Sequence, residues 1–225
     1  MHYQGGYLAI DGSKYKRIWV VGDLHGCKTL FDQALSKVQF DTETDLIISV
    51  GDLIDRGPDS KGCLDLLQYP WFKAVMGNHD LMAISCLIVD DEREANQYAA
   101  HWYMNGGKWF LEMSEPEQTE MFSSWERLNE VPFVIEVKLD DKKVIVVHAD
   151  YPEDYVFGKE LSVESLVWSR DRITRSQNGE VGDIAGADLF IFGHTPTEEV
   201  VQYANQVYID TGAVFNGELT LYQIK

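Results

Sequence analysis

Residues 18–58 read IWVVGDLHGCKTLFDQALSKVQFDTETDLIISVGDLIDRGP, and this stretch decides the fold class. Its two short apolar runs, 18–21 and 46–50, are typical of buried strands. Between them, Leu30, Phe31 and Ala34 recur at helical spacing. A helix that joins two buried strands predicts that the strands lie parallel, because a parallel connection needs a crossover.

The same alternation of apolar runs and turn residues continues along the chain. Further strands are predicted over 72–76, 133–138, 143–147, 189–192, near 200, over 207–209 and over 219–223. Helices are predicted over 28–38, 60–68, 80–89 and 115–129. We therefore expect one α/β (α+β) domain over 1–225, with a helical segment at about 90–130 and antiparallel hairpins in its second half.

The composition indicates a folded, acidic protein. Nineteen Lys and Arg against 37 Asp and Glu give a formal net charge of −18, and 45% of the residues are hydrophobic. A strongly negative surface repels phosphodiester backbones, so no nucleic-acid partner is expected. The three scattered cysteines are typical of a reducing compartment, and no apolar run is long enough to span a bilayer. We expect a cytoplasmic monomer without a membrane partner.

Polar side chains follow the predicted strands, mostly after a glycine that permits a sharp turn. The residues at these strand ends are Asp23, His25, Asp52, Asp55, Arg56, Asn78, His79, Asp80, His148 and His194. In α/β sheets, ligands bind at the carboxyl ends of the strands. The sequence therefore predicts that these side chains converge on one site.

Six of these residues offer nitrogen or oxygen ligands without thiolate, which suits Mn²⁺, Fe or Zn²⁺. They are Asp23, His25, Asp52, Asn78, His148 and His194. One open catalytic ion needs fewer ligands, so two ions that share a carboxylate are the economical interpretation. Taken singly, each residue has another interpretation, as a turn residue or a structural histidine. No cysteine opens a stretch of Cys, five intervening residues and Arg, which a cysteine-nucleophile phosphatase needs.

Five motifs together are similar to the metal-dependent serine/threonine phosphoprotein phosphatase family. They are GDLHG (22–26), GDLIDRGPDS (51–60), GNHD (77–80), HAD (148–150) and GHTP (193–196). Segments 104–110 (MNGGKWF) and 208–215 (YIDTGAVF) resemble the branch that holds the bacteriophage lambda protein phosphatase and its enterobacterial relatives. The resemblance implies the calcineurin-like metallophosphatase fold, in which two mixed β-sheets pack as a sandwich flanked by helices.

The resemblance also implies the role of each site residue. Asp23 and His25 would hold one ion, Asn78, His148 and His194 the other, and Asp52 would bridge them. Arg56 and Arg170 would grip the phosphate, Arg170 being preferred to Arg172. His79 would be the general acid, oriented by Asp55. The six tryptophans, including Trp102 and Trp109, we interpret as core or groove wall.

The implied reaction is hydrolysis of phosphomonoesters on phosphorylated proteins or peptides, with two divalent ions, Mn in the first place and Fe or Zn as alternatives. A hydroxide held between the ions would attack phosphorus directly. Phosphotyrosine stays open as a further substrate class. The main alternative is hydrolysis of dinucleoside polyphosphates such as diadenosine tetraphosphate, in whose subgroup the Asp of the Asp-Arg-Gly turn is replaced. Asp55 and His79 favour the monoester, because an anhydride needs less acid assistance. A scaffold without catalytic activity should lack a ligand or His79.

Overall fold

The structure is a computed structural model that describes residues 6–89 and 91–225, so residue 90 at the predicted start of the helical segment lies outside the described residues. The strands are β1 (Tyr7–Asp11), β2 (Arg17–Val21), β3 (Asp45–Ser49), β4 (Phe72–Ala74), β5 (Val134–Lys138), β6 (Lys143–Val147), β7 (Leu189–Phe192), β8 (Val201–Tyr203), β9 (Gln206–Tyr208) and β10 (Leu221–Gln223). The helices are α1 (Lys28–Lys37), α2 (Ser60–Leu64), α3 (Asn78–Ile88), α4 (Glu92–Met104), α5 (Glu115–Glu120), α6 (Phe122–Asn129), α7 (Val163–Trp168), α8 (Asp171–Gln177) and α9 (Ala213–Asn216).

One sheet has four strands in the order β10-β2-β3-β4. β2 pairs with β3 and β3 with β4 in parallel, which confirms the orientation predicted from the helical crossover. β10 closes the edge antiparallel to β2. The predicted last strand thus pairs with the first half of the chain and forms no hairpin with its sequence neighbours.

The other sheet has six strands in the order β1-β5-β6-β7-β9-β8. The hairpin predicted over 133–147 is confirmed by the antiparallel pairing of β5 with β6, and β8 with β9 forms a second antiparallel pair. β7 is parallel to both β6 and β9. The second half is therefore a mixed sheet, as the family's fold implies.

The two sheets share one apolar layer. Alternate residues of β2, Ile18 and Val20, lie in it together with Val137 of β5 and Val146 of β6. Because side chains alternate across a strand, Val21 of β2 faces the opposite side, where the helices pack. This arrangement is the predicted sandwich of two mixed sheets with flanking helices.

One helix was predicted wrongly, and some local elements were missed. β1 was not predicted, because this edge strand has only one buried residue and so no apolar run. The helix predicted over 115–129 consists of two helices that meet at the buried Met121, since α5 buries none of its residues whereas α6 buries Trp125 and Leu128. α7 and α8, which follow His148, were also not predicted. None of the helices in the described part of the chain has the length and apolar character that a membrane crossing requires.

Candidate dimetal site and acid pair

The predicted site residues do come together, at the carboxyl ends of strands from both sheets. Asp23 and His25 follow β2, Asp52 follows β3, and His148 follows β6. The remaining members are Asn78 and His79, at the start of α3, and His194, after β7. All of these side chains are buried. Because the inner strands are parallel, their carboxyl ends share one edge, and residues 171 positions apart come into contact there.

The backbone at these strand ends adopts the left-handed conformation that residues other than glycine avoid. The φ angles are 41° at His25, 50° at Asp52, 76° at Asp55, 70° at Arg56 and 67° at His194. Each such residue costs on the order of 1 kcal/mol, and strain of this kind concentrates at functional sites. The left-handed residues thus form sharp turns in the segments that follow the strands.

Two glycines allow the strand ends to approach each other. A β-carbon at Gly77 would lie 2.1 Å from Asp52 Oδ1, and one at Gly193 would lie 2.1 Å from Asp23 Oδ1. Any other residue would displace a carboxylate of the site. These positions of GNHD and GHTP therefore require glycine for close packing.

Two groups of residues could each hold a metal ion, because within each group the potential ligand atoms lie within 4.8 Å of one another. One group is formed by His25, Asp52 and His79, and the other by Asp52, His148 and His194. Both groups include Asp52. Its Oδ2 lies 3.4 Å from His25 Nε2, and its Oδ1 lies 3.5 Å from His148 Nε2. One carboxylate thus faces both groups, which is the position that a bridging ligand needs.

Asn78 and Asp23 complete the predicted ligand set. Asn78 Oδ1 lies 3.0 Å from both His148 Nε2 and His194 Nδ1, so these three residues present donor atoms to one point. The Asp23 carboxylate accepts the backbone N–H of His194 at 3.1 Å. Asp23 thereby joins the end of β2 to the end of β7.

Three histidines use their second ring nitrogen on a backbone carbonyl. His25 Nδ1 lies 2.9 Å from Ile54 O, His148 Nδ1 lies 2.8 Å from Val50 O, and His194 Nε2 lies 3.1 Å from Trp168 O. A carbonyl accepts only, so that nitrogen carries the proton and the other ring nitrogen keeps a lone pair, which in His25 accepts from Arg56. This is the arrangement typical of metal-binding histidines.

Burial lowers the pKa of all three histidines. The pKa of His25 falls to about 4 and that of His194 to about 3, and the pKa of His148 also falls. The imidazoles are therefore neutral at pH 7. Metal binding requires this neutral form.

Buried carboxylates make the same place attractive to cations. Burial, together with the charges of Asp210 and Asp52, raises the pKa of Asp23 well above its usual range. Burial and Asp52 raise the pKa of Asp80 to about 8. Burial also raises the pKa of Asp52, but the surrounding histidines outweigh it and lower the pKa overall. Crowded carboxylates repel one another, and a bound cation would relieve that repulsion.

His79 differs from the other histidines of the site. Its Nδ1 lies 2.7 Å from Asp55 Oδ2, and both side chains are buried. Burial alone lowers the pKa of His79, but Asp52 and the hydrogen bond with Asp55 outweigh it, so the pKa lies above its usual value. His79 therefore tends to keep the proton that the neutral histidines lack.

Two tryptophans contact Asp55, one from the end of α4 and one from the 3₁₀ turn Gly107–Glu112 that follows it. Trp102 Nε1 donates to Asp55 Oδ1 at 2.9 Å and to Oδ2 at 3.0 Å, and Trp109 Nε1 donates to Oδ1 at 2.8 Å. We predicted these tryptophans only as core or groove wall. The pattern WYMNGGKW (102–109) was the available signal, since its glycine pair separates the two indoles.

The arginines predicted to grip phosphate take different positions. Arg56 Nη1 donates to His25 Nε2 at 2.7 Å, and its guanidinium lies 5.6 Å from the ring centroid of Phe215. Arg170 reaches the site through a long bond of 3.4 Å from Nη2 to His194 O. Arg172, by contrast, donates from Nε to Asp150 Oδ1 and from Nη2 to a backbone carbonyl, both at 2.7 Å. Arg172 is thus engaged by Asp150 and the backbone, and the choice of Arg170 as the phosphate reader stays a prediction.

Two further residues of the quoted motifs were given no role by the sequence. Asp80 accepts the backbone N–H groups of Leu53 and Gly77, at 3.0 and 3.1 Å, and so ties the turn after β3 to the start of α3. Asp150 holds Arg172. Both are visible in the motifs GNHD and HAD, but sequence alone does not distinguish a carboxylate that supports the backbone from one that binds a ligand.

Comparisons with known proteins agree with this geometry. The profile of the family "Calcineurin-like phosphoesterase" matches residues 16–198. "Serine/threonine-protein phosphatase 2" of Escherichia coli (strain K12) is 42% identical over 220 residues, which are 97% of this chain and 98% of that protein. "Bis(5'-nucleosyl)-tetraphosphatase PrpE [asymmetrical]" of Bacillus cereus (strain Q1) is 28% identical over 89% of this chain and 87% of its own length.

A solved structure of a candidate diadenosine tetraphosphatase superposes with a TM-score of 0.69 at 21% identity, covering 98% of this chain and 94% of its own. At 21% identity, this similarity shows the fold alone. Together with the family profile, it confirms the fold class expected from the motifs. The resemblance to the enterobacterial phosphatases is confirmed as well.

Proposed function

Because this chain belongs to the calcineurin-like phosphoesterase family, we propose that it is a protein serine/threonine phosphatase that hydrolyses phosphomonoesters. It is a hydrolase, as the members of this family are. A named serine/threonine phosphatase matches it at 42% identity over nearly the whole length of both chains. The observation that carries the proposal is the buried pair of His79 and Asp55, at 2.7 Å, beside a set of metal ligands.

The residues present fit two divalent ions. Neutral imidazoles, buried carboxylates and one amide oxygen form a ligand set without sulfur, which suits manganese, and iron or zinc are the alternatives. We assign Asp23 and His25 to one ion and Asn78, His148 and His194 to the other, with Asp52 shared. When bound, the two ions would lower the pKa of water toward neutrality and balance the negative charge of the phosphate.

The arginines supply the remaining positive charge. Arg56 contacts the ring of His25, and Arg170 contacts the backbone carbonyl of His194. A guanidinium presents paired N–H donors that match the oxygens of a phosphate. We assign both to bind the phosphoryl oxygens, whose charge changes as the bond to the leaving group breaks.

His79 would donate its proton to the departing oxygen. Asp55 binds Nδ1, so that Nε2 is the nitrogen free to face the substrate. The alkoxide of serine or threonine is a poor leaving group, and a proton donor accelerates its departure by about 10²- to 10⁴-fold. Asp55 holds the ring in position and favours the protonated form of His79.

Diadenosine tetraphosphate hydrolysis is the rival activity, and it is suggested by the more distant relative at 28% identity. An anhydride releases a phosphate that is already a good leaving group, so it has little use for an oriented acid. The hydrogen-bonded pair of His79 and Asp55 therefore favours the monoester.

A three-substrate assay tests the proposal. Protein stripped of metal and reloaded with Mn²⁺ is assayed for kcat/KM on a phosphoserine peptide, a phosphotyrosine peptide and diadenosine tetraphosphate. We expect the phosphoserine peptide to be cleaved with a higher kcat/KM than the dinucleotide. A preference for the dinucleotide would overturn the proposal in favour of its rival.

We further propose that the enzyme acts in the cytoplasm as a monomer, on phosphorylated proteins or peptides and without nucleic-acid or membrane partners. The formal charge of −18 supports this, because it disfavours phosphodiester backbones and anionic lipids. The cysteines support it as well, since all three are free. Sedimentation of the purified protein measures the oligomeric state.

A further inference from the structure

The segment between α4 and α5 covers the turn that carries Asp55 and Arg56. A β-carbon at Gly106 would lie 3.1 Å from Arg56 Cγ and 3.3 Å from Asp55 Cβ, so the backbone of the segment touches the turn itself. Gly107 packs in the same way on Trp102, since a β-carbon there would lie 2.5 Å from the indole ring. The glycine pair thus brings two indoles and the turn into direct contact.

Asp55 is fully buried, and both of its oxygens are engaged. Oδ1 accepts from the Nε1 atoms of Trp102 and Trp109, at 2.9 and 2.8 Å. Oδ2 accepts from Trp102 at 3.0 Å and lies 2.7 Å from His79 Nδ1. An ionised carboxylate removed from water needs such donors, because an unpaired buried charge costs several kcal/mol.

The indoles also fix the direction of the carboxylate. With Oδ1 held by Trp109, rotation about the bond to the carboxyl carbon would break that hydrogen bond and carry Oδ2 away from His79. The donors lie 47 and 54 positions away along the chain. The orientation of Asp55 thus depends on donors from a distant part of the chain.

We propose that Trp102 and Trp109 are positioning residues for the general acid, acting through Asp55 on His79. This inference rests on the proposed phosphatase activity. The indole N–H groups hold Asp55 so that its Oδ2 orients the imidazole of His79 toward the leaving oxygen. Removing one indole N–H should therefore slow the substrates that need a proton donor and spare those that do not.

Trp109→Phe is the test variant, because Trp109 is only partly buried and phenylalanine retains much of its packing. Trp125→Phe is the matched control. The ring of Trp125 stacks against that of Trp109, with 6.3 Å between the ring centroids, but its Nε1 has no hydrogen-bond partner among the described residues. Both variants and the wild type are loaded with Mn²⁺, and kcat is measured on a phosphoserine peptide and on p-nitrophenyl phosphate. The first substrate has a poor leaving group and the second a good one.

We expect Trp109→Phe to lower kcat on the phosphoserine peptide about tenfold and on p-nitrophenyl phosphate less than about twofold. The tenfold loss is a part of the acceleration of about 10²- to 10⁴-fold that a general acid supplies. Trp125→Phe should change both substrates by the same factor. In a His79→Asn background, Trp109→Phe should have no further selective effect, because the residue through which it acts is gone.

Equal losses on both substrates in Trp109→Phe, matching those of Trp125→Phe, would overturn the inference. If Trp109→Phe fails to fold in a thermal denaturation assay, Trp102→Phe gives the same readout, because it removes the other indole donor to Asp55. A wild-type enzyme that ignores the phosphoserine peptide but cleaves diadenosine tetraphosphate would instead refute the proposed function. The two failures are thus distinguishable.

Discussion

Two parts of the site use histidine in opposite ways. The strand-end part is formed by His25, His148 and His194. Each of these histidines places one ring nitrogen on a backbone carbonyl, and burial lowers their pKa values. In the acid pair, His79 places a ring nitrogen on the carboxylate of Asp55, and its pKa is raised. All four side chains are similarly buried. The hydrogen-bond partner, rather than burial, therefore decides whether a histidine offers a lone pair or a proton.

This difference gives the two parts of the site different chemical roles. A carbonyl is neutral, so it orients an imidazole without stabilising its protonated form, whereas a carboxylate does both. The strand-end part is built by short glycine turns within the sheets, but the acid pair depends on the helical segment that carries Trp102 and Trp109. Perturbations of the two parts should therefore differ in their dependence on the substrate.

The largest effect is expected when the strand-end part loses its ions. Dialysis against a chelator should reduce turnover of every phosphate ester by about 10³-fold or more, because metal ions supply several kcal/mol of charge stabilisation in such sites. Addition of Mn²⁺ should restore the activity. Asp52→Asn should show a similar loss that Mn²⁺ does not restore, since Asp52 faces both ligand groups. Steady-state kinetics with chelator present measures this, and undiminished turnover there would contradict the metal assignment.

The next effect should discriminate between substrates. His79→Asn is expected to lower kcat on a phosphoserine peptide by about 10²-fold and on p-nitrophenyl phosphate by about tenfold or less, because only the alkoxide depends strongly on proton donation. His101→Asn, on the exposed part of α4, provides the control for loss of a histidine as such. Equal losses on both substrates would remove the acid role from His79.

Titration of the histidines tests the difference between the two parts of the site directly. In the metal-free protein, NMR of the histidine ring protons should show His25 titrating near pH 4 and His194 near pH 3, with His79 above the usual 6.5. At pH 7, His79 is therefore the more protonated residue, and it loses its proton as the pH rises through its raised pKa. Asp55→Asn should lower the pKa of His79, because it removes the carboxylate that favours the charged ring, and should leave the other two nearly unchanged. A His79 pKa that stays constant in this variant would contradict the pairing.

The smallest effect is expected at Arg172, which supports the site without facing it. Arg172 donates two bonds of 2.7 Å, to Asp150 and to the Tyr151 carbonyl, and lysine cannot reproduce both. Arg172→Lys should lower the free energy of unfolding by about 1 kcal/mol and kcat/KM by less than about threefold. Urea denaturation measures the first quantity. A loss of kcat/KM as large as that of Arg170→Ala would show that Arg172 binds the phosphate.

Much of the fold was predictable from the short apolar runs. β3, β6 and β7 are buried on both faces along most of their length and leave continuous hydrophobic runs bounded by turn residues, so the runs themselves located these strands. β1 was missed because it lies at an edge and buries one residue. α7 and α8 were missed because each is short and buries only two residues, which is too little to set a pattern.

By itself, the sequence determined which residues end the strands and which chemical groups they bring. Glycine, aspartate and histidine after an apolar run are local features, and their turn chemistry predicts a convergent site. Only the tertiary structure decided which partner each histidine meets, because a hydrogen bond between residues 24 or 98 positions apart leaves no trace in local spacing. For the same reason, the two indoles on Asp55 became visible only once the helical segment was placed over its turn, 47 and 54 residues away along the chain.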